Sequence, residues 1–287
     1  MWLSHLVAVA DTLKHPNASH GSEESSNWML HHISDSRTID LEPFGHITLP
    51  QFPTINVAGI EIDLSITKHV FFMWLVSIIL IAVLSLVARS YKRSVVPHGI
   101  ANLVEVFVVF IRDEIVLSVI GKEGLKYLHY FLTLFFFILL CNLFGLIPYG
   151  ATATGNLAVT GGLAFLSFIL IQLAGIKKHG LIGYYRGLVP HGVPAFVAPV
   201  MFIVEFLGLF AKAFALTVRL FANMTAGHIV ILSLIGLIFV FKSVLVAPIS
   251  IAFAIFINLL EILVAFIQAY IFTMLTALFV GLSIHQH

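Results

Sequence analysis

Eight polar residues interrupt the most apolar part of this chain. Glu205, Lys212, Arg219, Asn223 and His228 fall in one hydrophobic run, about residues 200–239, and Asn258, Glu261 and Gln268 fall in a second, about residues 247–283. A fixed cation near a bilayer centre costs roughly 2.5–3.5 kcal/mol on insertion scales, so Arg219 is rarely a residue kept for packing. An imidazole changes charge near neutral pH, and a carboxyl takes up and releases protons. His228 and Glu261 together could therefore relay protons from one face to mid-membrane. Arg219, charged at any physiological pH, would repel protons and block a straight leak. It would also favour the ionised form of a carboxylate brought beside it.

The spacing groups these residues. At about 100° per helical residue, Lys212 and Asn223 fall within about 40° of Arg219, as does Glu205 two heptads earlier. Glu261 and Gln268, seven positions apart, form a second stripe, and His228 lies about 180° from Arg219. A turn centred near residue 244 sets Arg219 level with Gln268 and His228 level with Glu261. Other roles remain open for most of them. Asn223, Asn258 and Gln268 serve equally as interhelical hydrogen-bonding residues, Glu205 and Lys212 as side chains reaching for the interface, and His228 with Glu261 as a static pair. Arg219 finds no carboxylate at its own level.

The elements that must hold these residues follow from composition. The chain has 287 residues, 60% hydrophobic and 10% charged, with mean hydropathy +1.05. Soluble domains are about a quarter charged, so the lipid bilayer is the expected solvent. The net charge of +1 gives no basic footprint for nucleic acid. Cys141, alone of its type, excludes an internal disulfide framework and is expected to be a small buried hydrophobe.

Spans are predicted at about residues 70–87, 127–147 and 157–176, close to the ~20 residues a bilayer needs. The two runs already described are too long for that pattern. Forty helical residues extend about 60 Å, twice the ~30 Å hydrocarbon core, so this hairpin crosses steeply or is broken. Residues 98–124 mix apolar residues with Glu105, Arg112, Asp113, Glu114, Lys122 and Glu123, which predicts an amphipathic helix at the interface. Its polar face meets solvent or a soluble stalk. Asn156 is expected to begin the third span, and residues 179–199 to be a connector. The fold class is thus all-α and polytopic, with about five transmembrane helices, an interfacial helix and a long, steeply tilted final hairpin.

Residues 1–65 form a polar extramembrane segment ahead of a membrane domain at 66–287. Its histidines, His5, His15, His20, His31, His32 and His46, lack ligand spacing for a metal, and Asn17-Ala-Ser is a weak glycosylation sequon. The first ten residues have no basic region and too short an apolar stretch for a clear secretory signal. Arg89, Lys92 and Arg93 after the first span, with Lys177, Lys178 and Arg186 after the third, place those ends in the cytoplasm and the N-terminus outside.

The run VRLFANMTAGH at residues 218–228 resembles the signature of the subunit a family of F-type ATP synthases, the membrane stators that face a c-ring. Further likeness lies in NLFGLIP at 142–148, in Asn156, and in EILVAFIQAYIF at 261–272. The resemblance spans about residues 66–283. It implies that Arg219 faces the c-ring carboxylate, with Gln268 beside it and Asn223 one turn away. It implies further that Glu205 and Lys212 belong to a cytoplasmic half-channel, and His228 and Glu261 to an outer one. Asn258 joins the proton-translocating set. The implied partners are c-ring subunits, peripheral stalk b subunits and the other synthase subunits. Bacterial members often have glycine where this chain has Ala222, and a glutamate–histidine order that His228 and Glu261 reverse. The implied membrane is a bacterial inner membrane or an organellar one, and proton or sodium coupling would be set mainly by ligands on the ring.

Two other classes fit less well. A self-contained secondary transporter calls for inverted repeats, and none is visible. An intramembrane enzyme calls for a motif such as His-Glu-x-x-His, Gly-x-Ser-x-Gly or a phosphate loop, and the chain has none, so no cofactor is expected.

Overall fold

The computed structural model describes residues 38–40, 46–48, 50, 55–57, 60–62, 65–91, 99–147, 150, 152–188, 194, 196–241 and 247–285. The histidines at 5–32, the Asn17 sequon, Lys92, Arg93, Pro148 and Lys242 lie outside them. Among the described residues are seven α-helices: α1 (Lys68–Tyr91), α2 (Ile100–Phe110), α3 (Leu128–Gly145), α4 (Leu157–His179), α5 (Leu181–Arg186), α6 (Ala198–Phe241) and α7 (Ala247–Ile284). Five helical stretches are long and apolar enough to cross a membrane, as the sequence predicted. The polar N-terminal segment holds something unanticipated: two short antiparallel hairpins, β1 (Thr38–Asp40) with β2 (His46–Thr48), and β3 (Ile55–Val57) with β4 (Ile60–Ile62).

The helices pack in the order α1, α3, α7, α4, α6, with α7 also along α6. Helix α3 is apolar on every side, the pattern of a helix enclosed by others. Accordingly Phe131, Leu134, Phe135, Ile138 and Leu139 are all buried, as is Cys141. Helix α6 is the opposite case. At about 1.5 Å per residue its 44 residues run about 66 Å unbroken, so it must lie steeply inclined. It buries Leu216, Leu220 and Met224 in a stripe of four-residue spacing, yet Phe202, Phe206, Phe210 and Phe214 stand exposed.

Helix α4 shows why its ends fall where they do. The Asn156 side chain accepts a hydrogen bond from the Ala158 amide at 2.8 Å, which satisfies one of the unpaired donors of the first turn. Lys177, Lys178 and His179 fill the last turn, where cations oppose the negative end of the helix dipole. Gly180 then turns the chain out at φ 74°, a left-handed conformation that suits glycine. Asn156→Ala is expected to destabilise the helix start by about 1 kcal/mol, read as a lower thermal midpoint of the detergent-solubilised complex.

The interfacial segment is helical as predicted, and it buries Ala101, Val104, Ile111, Ile115, Val116 and Ile120. Its second part, Ile111–Leu117, is a π-helix. The wider turn brings Val116, five residues after Ile111, back to the buried face beside Ile115. Arg112 on the exposed side grips Asp113 through Nε and Nη2 at 2.7 and 2.9 Å, and that hydrogen bonding holds the Asp113 carboxyl below its usual range. The connector after α4 differs from expectation in one respect: it contains the short helix α5, whose Tyr184 is buried against Gly175.

Candidate functional site

The polar residues of α6 and α7 sort into three levels along the hairpin. At the first, Lys212 Nζ lies 3.5 Å from Glu205 Oε1 and 5.5 Å from the centre of the Phe279 ring, a cation–π distance. These two residues open into a cavity of about 280 Å³, which Tyr184, Ser283 and His285 also line. Glu205 and Lys212 are therefore an ion pair on the wall of this cavity, not two side chains reaching separately for the interface.

Arg219 occupies the middle level. It is exposed, as is Asn223 one turn on, on the flank of the buried Leu216–Leu220–Met224 stripe. Among the described residues no carboxylate pairs with Arg219. It stands about 10 Å beyond Lys212 along the helix axis, seven residues at ~1.5 Å each.

The third level is enclosed. Glu261 is 6% exposed, and neither of its carboxyl oxygens has a hydrogen-bond partner among the described residues. Its carboxyl lies directly on Gly227, where a Cβ would overlap Oε1 and come within 2.7 Å of Cδ. His228, next in the chain, turns elsewhere and bonds through Nε2 to Thr152 Oγ1 in the link between α3 and α4.

The contacts of Gly227 with Glu261 and of Lys212 with Phe279 fix the register of the hairpin, and it agrees with the turn centre read from the sequence. Interpolating between them sets Arg219 level with about residue 271, less than one turn from Gln268. They do not meet: Gln268 is buried and Arg219 exposed, and no hydrogen bond joins them among the described residues. Nor are His228 and Glu261 a bonded pair, which excludes the static reading. Asn258 is half-buried on α7, one turn before Glu261.

Sequence reasoning passed over Thr152, Thr154 and Gly227. Thr154 donates to Asn142 Oδ1 at 2.5 Å, and Asn142 Nδ2 donates to the Ala265 carbonyl at 3.4 Å. The usable signal was Asn142, a polar residue inside an otherwise apolar span. The threonines belong to a short link that reads as a plain turn.

Five apolar helices, the last two a long hairpin that carries ionisable groups within its apolar sequence, define a multi-pass membrane protein. The family model described as ATP synthase A chain matches residues 70–281, and the chain belongs to that family. Among its relatives, ATP synthase subunit a of Chlorobium phaeobacteroides (strain DSM 266) is 52% identical over 270 residues, covering 93% of this chain and 77% of the relative. The protein of the same name from Chloroherpeton thalassium is 51% identical over 258 residues, 89% and 76% of the two chains. That of Myxococcus xanthus is 52% identical over 231 residues, 79% and 76%. Membership makes the protein a proton-translocating membrane subunit of an F-type ATP synthase, partnered by other subunits of that complex and not itself catalytic.

Proposed function

We propose that the α6–α7 hairpin forms two offset half-channels that load and unload carboxylates on a rotating ring of c subunits. The observation that carries this reading is Arg219: an exposed cation, with no carboxylate partner among the described residues, between two separate polar levels. Lys212 and Gly227 are fifteen residues apart, about 22 Å of helix, and Arg219 falls close to midway. A proton path through one level cannot continue to the other without passing the guanidinium, so net transport needs a carrier that moves sideways. A ring carboxylate arriving at Arg219 would be held ionised there, having released its proton towards the Glu205–Lys212 cavity. It would be reprotonated from the Glu261–His228 level after passing on. Asn223 and Gln268 flank the crossing point on the two arms, and Asn258 lies beside the enclosed carboxyl.

In this reading residues 1–65 stay outside the membrane domain, and the basic ends of α1 and α4 mark the cytoplasmic side, with the C-terminus there too. The bacterial relatives favour a bacterial inner membrane, and the exposed face of the interfacial helix suits contact with the b subunits of the peripheral stalk. The test is a cysteine placed on the exposed arm. Asn223→Cys, combined with a cysteine introduced on the outer helix of the small ring subunit in the complex purified from native membranes, is expected to form an intersubunit disulfide under mild oxidation. A complex that carries the ring but gives no adduct from this face would overturn the assignment.

A further inference from the structure

The link between α3 and α4 is held more tightly than a connecting turn requires. Thr152 is 4% exposed, and its carbonyl accepts from the Gly155 amide at 2.8 Å, closing the 3₁₀ turn Ala153–Gly155. Thr154, fully buried, ties the turn to Asn142 on α3, and Asn142 ties it onward to the Ala265 carbonyl on α7. From the other side, Gly145 lets the link approach: a Cβ there would overlap Thr152 Oγ1 and lie 2.8 Å from its Cα. The product of these constraints is one placed hydroxyl, and it meets Nε2 of His228.

We propose that Thr152 is a positioning residue for proton transfer at His228. A hydroxyl can donate or accept, but a charged imidazole only donates, so the arrangement that serves both ring states without reversal has the oxygen accepting from Nε2–H. Nδ1 is then the nitrogen that takes up a proton and releases it. Nε2 keeps its proton and its partner in both the neutral and the charged ring, so the imidazole need not rotate during a cycle. A hydroxyl on a stiff, β-branched side chain suits this task, since it has acceptor lone pairs and little freedom at χ1. The inference rests on the placement of His228 in the outer half-channel and adds to it the element that aims the ring.

The experiment compares ATP-driven proton uptake by inverted membrane vesicles that carry assembled variants. Thr152→Val keeps the shape and removes the acceptor, and it is expected to slow transport about tenfold, less than the ~10²–10⁴-fold that a proton-transfer group itself contributes, because the hydroxyl acts only through the ring. Thr152→Ser restores the acceptor and is expected to recover most of that loss. In a His228→Ala background, adding Thr152→Val is expected to cost nothing more, because the hydroxyl acts through the ring. Equal losses in the valine and serine variants, or a full further loss in the double variant, would overturn the proposal. Where the valine variant does not assemble, Thr152→Cys supplies the comparison. If every variant lacking the hydroxyl fails to assemble while serine assembles, the group holds the fold and the proposal is also overturned. His228→Ala alone separates the two readings. Parental transport by that variant removes His228 from the half-channel, whereas loss there with parental transport by Thr152→Val removes only the role of Thr152.

Discussion

Replacing Arg219 by alanine is expected to abolish ATP-driven proton pumping in membrane vesicles while leaving the complex assembled. Two unit charges 4 Å apart interact by about 4 kcal/mol at an effective dielectric constant near 20. At 1.36 kcal/mol per pKa unit that is about three powers of ten in the ionisation of a ring carboxylate. On the proposed half-channel reading, without the guanidinium a protonated ring site would pass the crossing point still holding its proton, and rotation would no longer move charge. The exposed position of Arg219 means that alanine opens no cavity, so the loss should appear in transport and not in stability. Arg219→Lys keeps the charge but loses the planar fork, and is expected to recover little. Undiminished pumping by the alanine variant would remove the arginine from the mechanism altogether.

A second large effect is expected from a residue with no side chain. Gly227→Ala should cut proton transport by at least tenfold, although no titratable group is altered. Glycine inside a helix costs about 1 kcal/mol relative to alanine, so on helix propensity alone this change would be favourable. Packing decides the other way, because the new methyl group would come within 2.7 Å of Glu261 Cδ and overlap Oε1. The carboxyl, at the end of a flexible side chain, has to leave its place between the arms, and that displacement, not lost stability, is what should cost transport. Shortening the acid in Gly227→Ala/Glu261→Asp makes room for the methyl group and is expected to return part of the activity. If the alanine variant pumps at the parental rate, the position of Glu261 against Gly227 does not matter to transport.

Much of this was legible from residue types. A charge in an apolar run is costly wherever it sits, so Arg219 announced itself, and the excessive length of two apolar runs announced a steep hairpin. The register was legible as well, since in a two-helix hairpin the turn fixes the depth of every position. What depth cannot give is the direction of a side chain. His228 and Glu261 share a level, yet Gly227 receives the carboxyl while the imidazole leaves towards another segment. Arg219 and Gln268 lie within a turn of each other in depth, yet one is exposed and the other buried. Thr152 was invisible for a different reason: its importance comes from a loop pressed against α6 by contacts with α3 and α7, and no local pattern in the link encodes those. The hairpins at residues 38–62 escaped because strands of three residues leave too short an alternation to read.

Helix α6 has one more consequence, for the life of the protein before assembly. Among the described residues its Phe202–Phe214 flank and Arg219 are exposed, so an orphan copy presents a charge to lipid and a wide sticky surface to other proteins. Association stabilises a fold by mass action. Here that makes survival of each newly inserted copy depend on how soon it finds its complex. An orphan would be the species that membrane quality-control proteases recognise, and the cellular level of this subunit would follow that of its partners, however fast it is made.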